Sequence, residues 1–351
     1  MNNPGLFSLA RVCCALVVVV TVGLPAESAG TTTGTRSAVT RNPTTQKLSL
    51  AKKNVATKRT RAARSLASVR ARQLQEARQP RFKFDESGAL VPDIRAEAAI
   101  IYEPKTGQVL WEQNSSDRRS IASITKVMTA TVILEDPTVD LSVPVVIDRS
   151  DVRAASTTYL RAGYTVTKDD LLHLLLIGSD NAAARALART SPYGSEGFVR
   201  RMNEKAEEMG LVSTSYVDPS GLFNANLSSA YDMARLISYV SGNDRIASIM
   251  RTPSYTVSAG GRRQITVSST NQLVKAGDVN VQAGKTGFIR SAGYCLATLL
   301  RMPEGGPDVA VVVLGAKSNA GRFWETRHLF NWLSTKAEGI LGTTVEAASQ
   351  N

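Results

Sequence analysis

Cysteine and histidine are scarce in this chain. Three of its 351 residues are Cys, and two of them, Cys13 and Cys14, stand side by side in an apolar N-terminal stretch. Once that stretch is removed Cys295 is alone, so no internal disulfide framework is expected, a state compatible with an oxidising compartment. The two histidines, His173 and His328, both lie in apolar helical stretches. They leave a zinc site poorly supplied and give a Ser-His-Asp triad no histidine beside its nucleophile. No metal and no cofactor are expected, and both histidines read as packed core, as do Trp111, Trp324 and Trp332. Aromatics make up 6%, with 25 Gly and 13 Pro, which excludes a collagen, a mucin-like stalk and a wholly disordered chain. With 43% hydrophobic and 21% charged residues, the chemistry is that of one large globular domain or two small ones. No internal repeat is visible.

The formal charge of +12 suggests nucleic acid at first sight. Its distribution argues otherwise. Residues 30–84 hold fourteen Lys and Arg against one acid, Glu76, whereas from Asp85 onward 27 bases face 28 acids. A nucleic-acid-binding domain carries its positive patch on the fold itself, so no nucleic-acid partner is expected. Residues 1–28 read as a signal peptide: Arg11, an apolar run from Val12 to Leu24, and small residues that allow cleavage after Ser28. Retention as an uncleaved anchor is the alternative. Residues 29–84 form a Thr-, Ala-, Lys- and Arg-rich segment expected to be disordered, with a nascent helix near 62–77. It would serve as a tether to anionic polymer or as a plain spacer. A folded domain is expected over 85–342, with a tail at 343–351 and no stable membrane anchor.

Within that domain, two apolar strands at 98–103 and 108–113 flank Glu103-Pro-Lys-Thr-Gly107, a hairpin turn with glycine where positive φ is wanted. Helical spacing follows at 121–135, 168–177, 182–190, 196–209 and 229–241. Strand patterns return at 255–257, 287–290, 293–301 and 308–316, and an amphipathic helix at 322–338 closes the domain. Strands at both ends with helices between predict a three-layer α+β fold. Its antiparallel sheet is built from both chain ends, flanked by helices, with a mostly helical insertion.

Three short patterns occur in order: Ser123-Ile-Thr-Lys126, Ser179-Asp-Asn181 and Lys285-Thr-Gly287. Each has decoys: Ser49–Lys52 repeats the first, Ser241–Asn243, Ser269–Asn271 and Ser349–Asn351 the second, and Lys105–Gly107 the third. Context separates them, because Ser49 lies in the basic segment and Lys105 in a hairpin turn. A serine hydroxyl is a weak nucleophile until a base takes its proton. On a helix, i and i+3 share a face, so Lys126 reaches Ser123 in the first turn, where free N–H groups favour negative charge. To act as base Lys126 must be partly neutral, and burial together with a second cation, Lys285, would push its pKa down. Ser179 and Asn181 are suited to relaying the proton and holding a substrate amide. Lys285 and Thr286 suit an anionic substrate terminus, and Gly287 lets that substrate approach the backbone.

The ordered triple resembles the penicillin-recognising serine D,D-peptidases, the low-molecular-mass penicillin-binding proteins. The likeness extends to Ile121-Ala-Ser-Ile-Thr-Lys-Val-Met-Thr-Ala130, to 169–183, to Asp218-Pro-Ser-Gly-Leu222 and to Gly284-Lys-Thr-Gly-Phe288, so it covers about 98–333. Gly293-Tyr-Cys-Leu-Ala297 makes it most similar to the D-alanyl-D-alanine endopeptidase subgroup that lacks a second β-rich domain. The resemblance implies a β-lactamase/transpeptidase-like fold, peptidoglycan stem peptides as substrate, β-lactams as covalent inhibitors, and a periplasmic or cell-surface location. It also implies Ser123 as acylated nucleophile, Lys126 as its base, Ser179 as second active-site serine and Lys285 as substrate-binding cation. The N–H groups of Ser123 and Phe288 would form the oxyanion hole. A phosphate-binding loop is excluded because Val279 stands where its first glycine belongs and strands follow. A class A β-lactamase would need a Glu-x-x-x-Asn between Asn181 and Lys285, which is missing. The alternatives carried forward are a catalytically weak β-lactamase-like protein and a wall-binding scaffold with a basic arm.

Overall fold

The computed structural model describes residues 79–349 apart from Arg262, with side chains described as far as Ala337. The signal peptide, the nascent helix near 62–77 and the basic segment up to residue 78 lie outside the described residues, as do the two last residues.

Five strands form the central sheet. β1 (Ala98–Glu103) and β2 (Gln108–Gln113) come from the front of the domain, and β3 (Asn280–Ile289), β4 (Gly293–Arg301) and β5 (Asp308–Ala316) from its back. Their order is β3-β4-β5-β1-β2, every neighbour antiparallel. The β1–β2 turn closes with the Gly107 N–H donating to Glu103 O at 2.9 Å, and Gly107 takes φ +76°. Alternate residues face opposite sides of a strand. In β1, Ala98, Ile100 and Tyr102 join the larger core, while Ala99 and Ile101 join the smaller one. Both faces of β1 are covered, which is why it reads as an almost unbroken apolar run. The fold is α+β with the β-lactamase-like three-layer arrangement.

The larger core lies between the sheet and the helical insertion: α1 (Thr125–Glu135), α2 (Lys168–Leu176), α3 (Asn181–Arg189), α4 (Gly194–Glu208) and α5 (Ala230–Ser241). Sequence signals set their starts. Thr167 and Asp170 form a capping box ahead of α2, Asp180 caps α3 through the Ala183 N–H, and Ser229 caps α5. α1 and the middle of α2 are buried nearly all round, so Met128, Leu171 and their neighbours lose almost all contact with water, as does Phe198 of α4. Each such side chain contributes about 1.5–3 kcal/mol. On the other face α6 (Asn319–Ser349) packs Phe323, Leu329 and Phe330 against Ile101, Val311 and Leu300.

The structure extends several expectations. The strand read over 287–290 begins at Asn280, because the polar run Gly284-Lys-Thr hides a buried strand. The segment read at 255–257 is Ser254–Ala259, which pairs with Arg263–Ser268 in a separate hairpin rather than in the main sheet. A short hairpin, Phe82–Phe84 with Leu90–Pro92, straddles the expected start at Asp85, so that its first strand precedes it. The closing helix continues past residue 338. His173 and His328 are buried as expected, whereas the three tryptophans are only half-buried at the edges of the smaller core.

α6 is held to the start of β1 by one buried carboxylate. Glu325 accepts from the N–H groups of Arg95 at 2.9 Å and Ala96 at 3.1 Å. Glu325→Ala leaves both donors without a partner and should cost about 2–4 kcal/mol. Urea unfolding measures it, and a loss below about 1 kcal/mol would show that this clamp does not hold the layer.

Candidate active site

The chain enters α1 through a 3-10 turn, Ala122–Ile124, so Ser123 precedes the α-helix proper instead of lying in its first turn. A 3-10 turn brings i and i+3 into line, and the expected pairing survives. Lys126 Nζ stands 3.0 Å from Ser123 Oγ. The lysine side chain is fully buried and donates to Asn181 Oδ1 at 2.6 Å and to the Ser220 carbonyl at 2.5 Å. Burial pushes its pKa down to about 7, against the opposing pull of the Asp218 and Asp180 carboxylates and with a smaller push from Arg185.

Ser179 and Asn181 lie on the two sides of the α3 start. Ser179 adopts φ +58°, an unusual conformation for a residue with a side chain, and Asp180 fixes the bend. The Asp180 carboxylate accepts from the N–H groups of Tyr159 and Ala183 and from Thr158 Oγ1. Asn181 donates its amide to Ala155 O at 2.7 Å while its oxygen takes Lys126. The amide oxygen and one of its two N–H bonds are therefore engaged within the protein, while Asn181 still lines the cleft.

Lys285 comes to the same cleft from β3. It is buried and donates to Ser179 Oγ and to Thr286 O, both at 2.9 Å. Burial, then the charges of Lys126 and Arg322, hold it well below the ordinary lysine range. Thr286 Oγ1 and Thr270 Oγ1 are 2.7 Å apart. Gly287 serves a different purpose from the one expected of it. A Cβ there would stand 2.6 Å from Ile121 O and 3.2 Å from Ser123 N, so glycine is needed for β3 to lie against the serine turn. Phe288 is half-exposed at the rim.

All eight residues singled out in the sequence meet at one locality. Ser123, Ser179, Asn181, Thr286, Gly287 and Phe288 line a cleft of about 530 Å³, with Lys126 and Lys285 buried immediately behind their serine partners. Several contributors carried no assigned role. The Asp218 carboxylate binds the Ser220 N–H and hydroxyl and the Asn226 amide, which sets the Ser220 carbonyl against Lys126. Arg322 donates to Gly287 O at 2.8 Å and to Cys295 O at 3.2 Å from α6. The string Asp218-Pro-Ser-Gly-Leu222 was visible only as part of the family resemblance; Arg322 offered no local signal. Two of the decoys have structural duties instead, since Asn243 and Asn271 cap short helices. Among the described residues, no three His, Cys, Asp or Glu side chains form a group that could hold a metal ion. No described helix is long and apolar enough to cross a membrane.

A three-layer fold with a buried lysine against a serine at this edge of the sheet defines the class of penicillin-binding D,D-peptidases. Comparison with known proteins narrows this. The sequence pattern of the family described as D-alanyl-D-alanine carboxypeptidase matches residues 85–318, and the chain belongs to that family. It is 33% identical over 248 residues to a D-alanyl-D-alanine endopeptidase of Pseudomonas aeruginosa, covering 70% of this chain and 79% of that one. It is likewise 33% identical over 231 residues to a D-alanyl-D-alanine carboxypeptidase of Bacillus subtilis, covering 64% and 58%. The crystal structure of the Streptomyces K15 DD-transpeptidase superposes with a TM-score of 0.65 at 29% identity, covering 69% of this chain and 97% of that one. The protein is thus a hydrolase, a serine D-alanyl-D-alanine peptidase that acts on peptidoglycan and binds penicillin.

Gly287→Ala should displace β3 from the serine turn. A shift of about 1 Å at a reacting centre costs on the order of 10²-fold, so covalent labelling by a fluorescent penicillin should slow by that factor with the circular dichroism unchanged. Labelling at the parental rate would show that the turn tolerates the methyl group.

Proposed function

We propose that the protein cleaves D-alanyl bonds of stem peptides through an ester on Ser123, with Lys126 as general base. One observation carries this reading: two of the three neighbours of Lys126 Nζ are acceptors only. A neutral amine has two N–H bonds, and Asn181 Oδ1 and Ser220 O take both. Its lone pair is then left for the Ser123 hydroxyl at 3.0 Å. A pKa of about 7 leaves a large neutral fraction at physiological pH.

In the first step Ser123 Oγ attacks the carbonyl carbon of the penultimate D-Ala and its proton passes to Lys126. The N–H groups of Ser123 and Phe288 receive the oxyanion. The C–N bond then breaks as Lys126, with Ser179 beside Lys285 along the route, returns the proton to the leaving amine. Water cleaves the ester, giving its hydrogen back to Ser123 Oγ through the same base. Lys285 and Thr286 hold the carboxylate on the leaving side. We also infer export, on the signal-like residues 1–28 and the extracytoplasmic substrate.

Ser123→Ala should abolish penicillin labelling in a folded protein, and label persisting there would make Ser179 the nucleophile. Lys126→Arg keeps a charge but cannot deprotonate, and should lose about 10²–10⁴-fold in acylation rate. Because only the amine is reactive, the acylation rate should climb as pH rises through about 7. A profile flat across that range would remove Lys126 as base.

Between the two bonds open to such an enzyme, cross-links are the preferred target. The stretch from Phe288 to Ala297 is endopeptidase-like. The basic segment favours the same target, because tethering to an anionic polymer raises the local concentration of wall substrate. Given cross-linked muropeptide dimers and pentapeptide monomers in parallel, the protein should split the dimers faster. Release of D-Ala from monomers with dimers left intact would reverse that preference.

A further inference from the structure

A second groove adjoins the Ser123 cleft and shares Phe288 and Arg290 with it. It measures about 400 Å³ and is lined also by Glu97, Arg119, Tyr294 and Lys317. Phe288 pairs across the β3–β4 register with Tyr294, and their rings stack at 4.2 Å. That ring pair stands where the two grooves meet.

The groove has more positive charge than the protein itself uses. Lys317 pairs with Glu97. Arg119 acts on the same carboxylate only through its field, and its Nε is buried with no hydrogen-bond partner. Arg290, just past the end of β3, is exposed and makes no hydrogen bond or ion pair among the described residues. Three cations against one carboxylate favour an anionic ligand.

The direction of a bound peptide follows from the other end of the cleft. Ser179, Lys285, Thr286 and Thr270 are grouped before Gly287 along β3. A peptide whose leaving residue lies there and whose scissile carbonyl faces Phe288 must run its upstream residues toward Arg290. Two extended residues span about 7 Å.

We propose that this groove receives the upstream part of the stem peptide, with Arg290 recognising a side-chain carboxylate about two residues ahead of the scissile bond. The proposal rests on the D,D-peptidase reading of the Ser123 cleft. It makes Arg290 a specificity-determining residue: a guanidinium and a carboxylate pair with fixed geometry, and an unpaired exposed arginine has none of its own partners to give up.

The test compares two substrates, a stem pentapeptide with free upstream carboxylates and the same peptide with those carboxylates amidated. For the parent enzyme kcat/KM should favour the acidic peptide by about ten-fold, mainly through KM, the equivalent of one charge-assisted contact. Arg290→Ala should bring that ratio close to one, and Arg290→Lys should keep part of it. Salt at about 0.5 M should also compress the parent ratio, since the contact is exposed. A parent ratio near one, or a ratio that Arg290→Ala leaves intact, overturns the proposal. Penicillin labelling of the parent enzyme separates the two readings. A labelled enzyme with no preference loses only the groove assignment, whereas an unlabelled one loses the peptidase reading beneath it.

Discussion

The structure is organised around the burial of one amine. Lys126 has no contact with solvent, and an ammonium in such a place is costly unless its hydrogens are satisfied. Its partners come from three separate parts of the chain: the serine turn, the start of α3, and the loop after Pro219. Burial and the neighbouring carboxylates pull in opposite directions. Desolvation favours the neutral amine, Asp218 and Asp180 favour the charged one, and the outcome near 7 lies between them. Removing either carboxylate would lower the pKa of the amine further; exposing the site would return it toward the ordinary lysine range.

Holding three distant segments against one nitrogen strains the backbone. Ala122 and Ser179 take φ of +48° and +58°, each at about 1–3 kcal/mol for a residue with a side chain. The surroundings fix both. Asp180 accepts three hydrogen bonds directly after Ser179, while the serine turn is gripped from two sides by glycines. Gly287 leaves β3 room beside Ile121 and Ser123, and Gly221, at φ +78°, lies against the Ala122 carbonyl. A methyl group at either glycine would push the turn off its position. The strained residues and the glycines are therefore one device, in which close backbone approach pays for a fixed serine.

Much of this was legible in the sequence, for identifiable reasons. β1 and β2 follow from two apolar segments joined by a Pro-Lys-Thr-Gly turn, and their limits match the observed ones. The eight candidate site residues were found through i, i+3 spacing and motif order, which are local properties. What stayed hidden was either non-local or disguised. Lys285 and Thr286 broke the apolar pattern of a strand that is nevertheless buried, so β3 looked seven residues shorter at its start. Arg322 reaches the Gly287 carbonyl from α6, 35 positions away, and no periodicity announces such a contact. The engagement of Asn181 with Ala155 also depends on a tertiary meeting.

The position of β3 at the rim of the sheet ties these features together. An edge strand leaves one row of N–H and C=O groups without a strand partner, a liability that proteins cover or put to use. Here β4 occupies one side; on the other, Arg251 donates to the Gln282 carbonyl near the start of the strand and the serine turn approaches at Gly287. Only the end of that side, from Thr286 to Arg290, opens on the cleft. An extended peptide is the ligand whose backbone matches such an edge, because it supplies the missing row of hydrogen bonds. Edge and nucleophile must then be in register, or the bound peptide would present the wrong bond. Gly287 enforces that register by letting strand and serine turn touch, and Arg322 maintains it by holding the Gly287 carbonyl from the opposite layer. The third layer of the fold thus acts on the site in two ways, through the sheet by way of the Gly287 carbonyl and directly, because Arg322 also lines the Ser123 cleft.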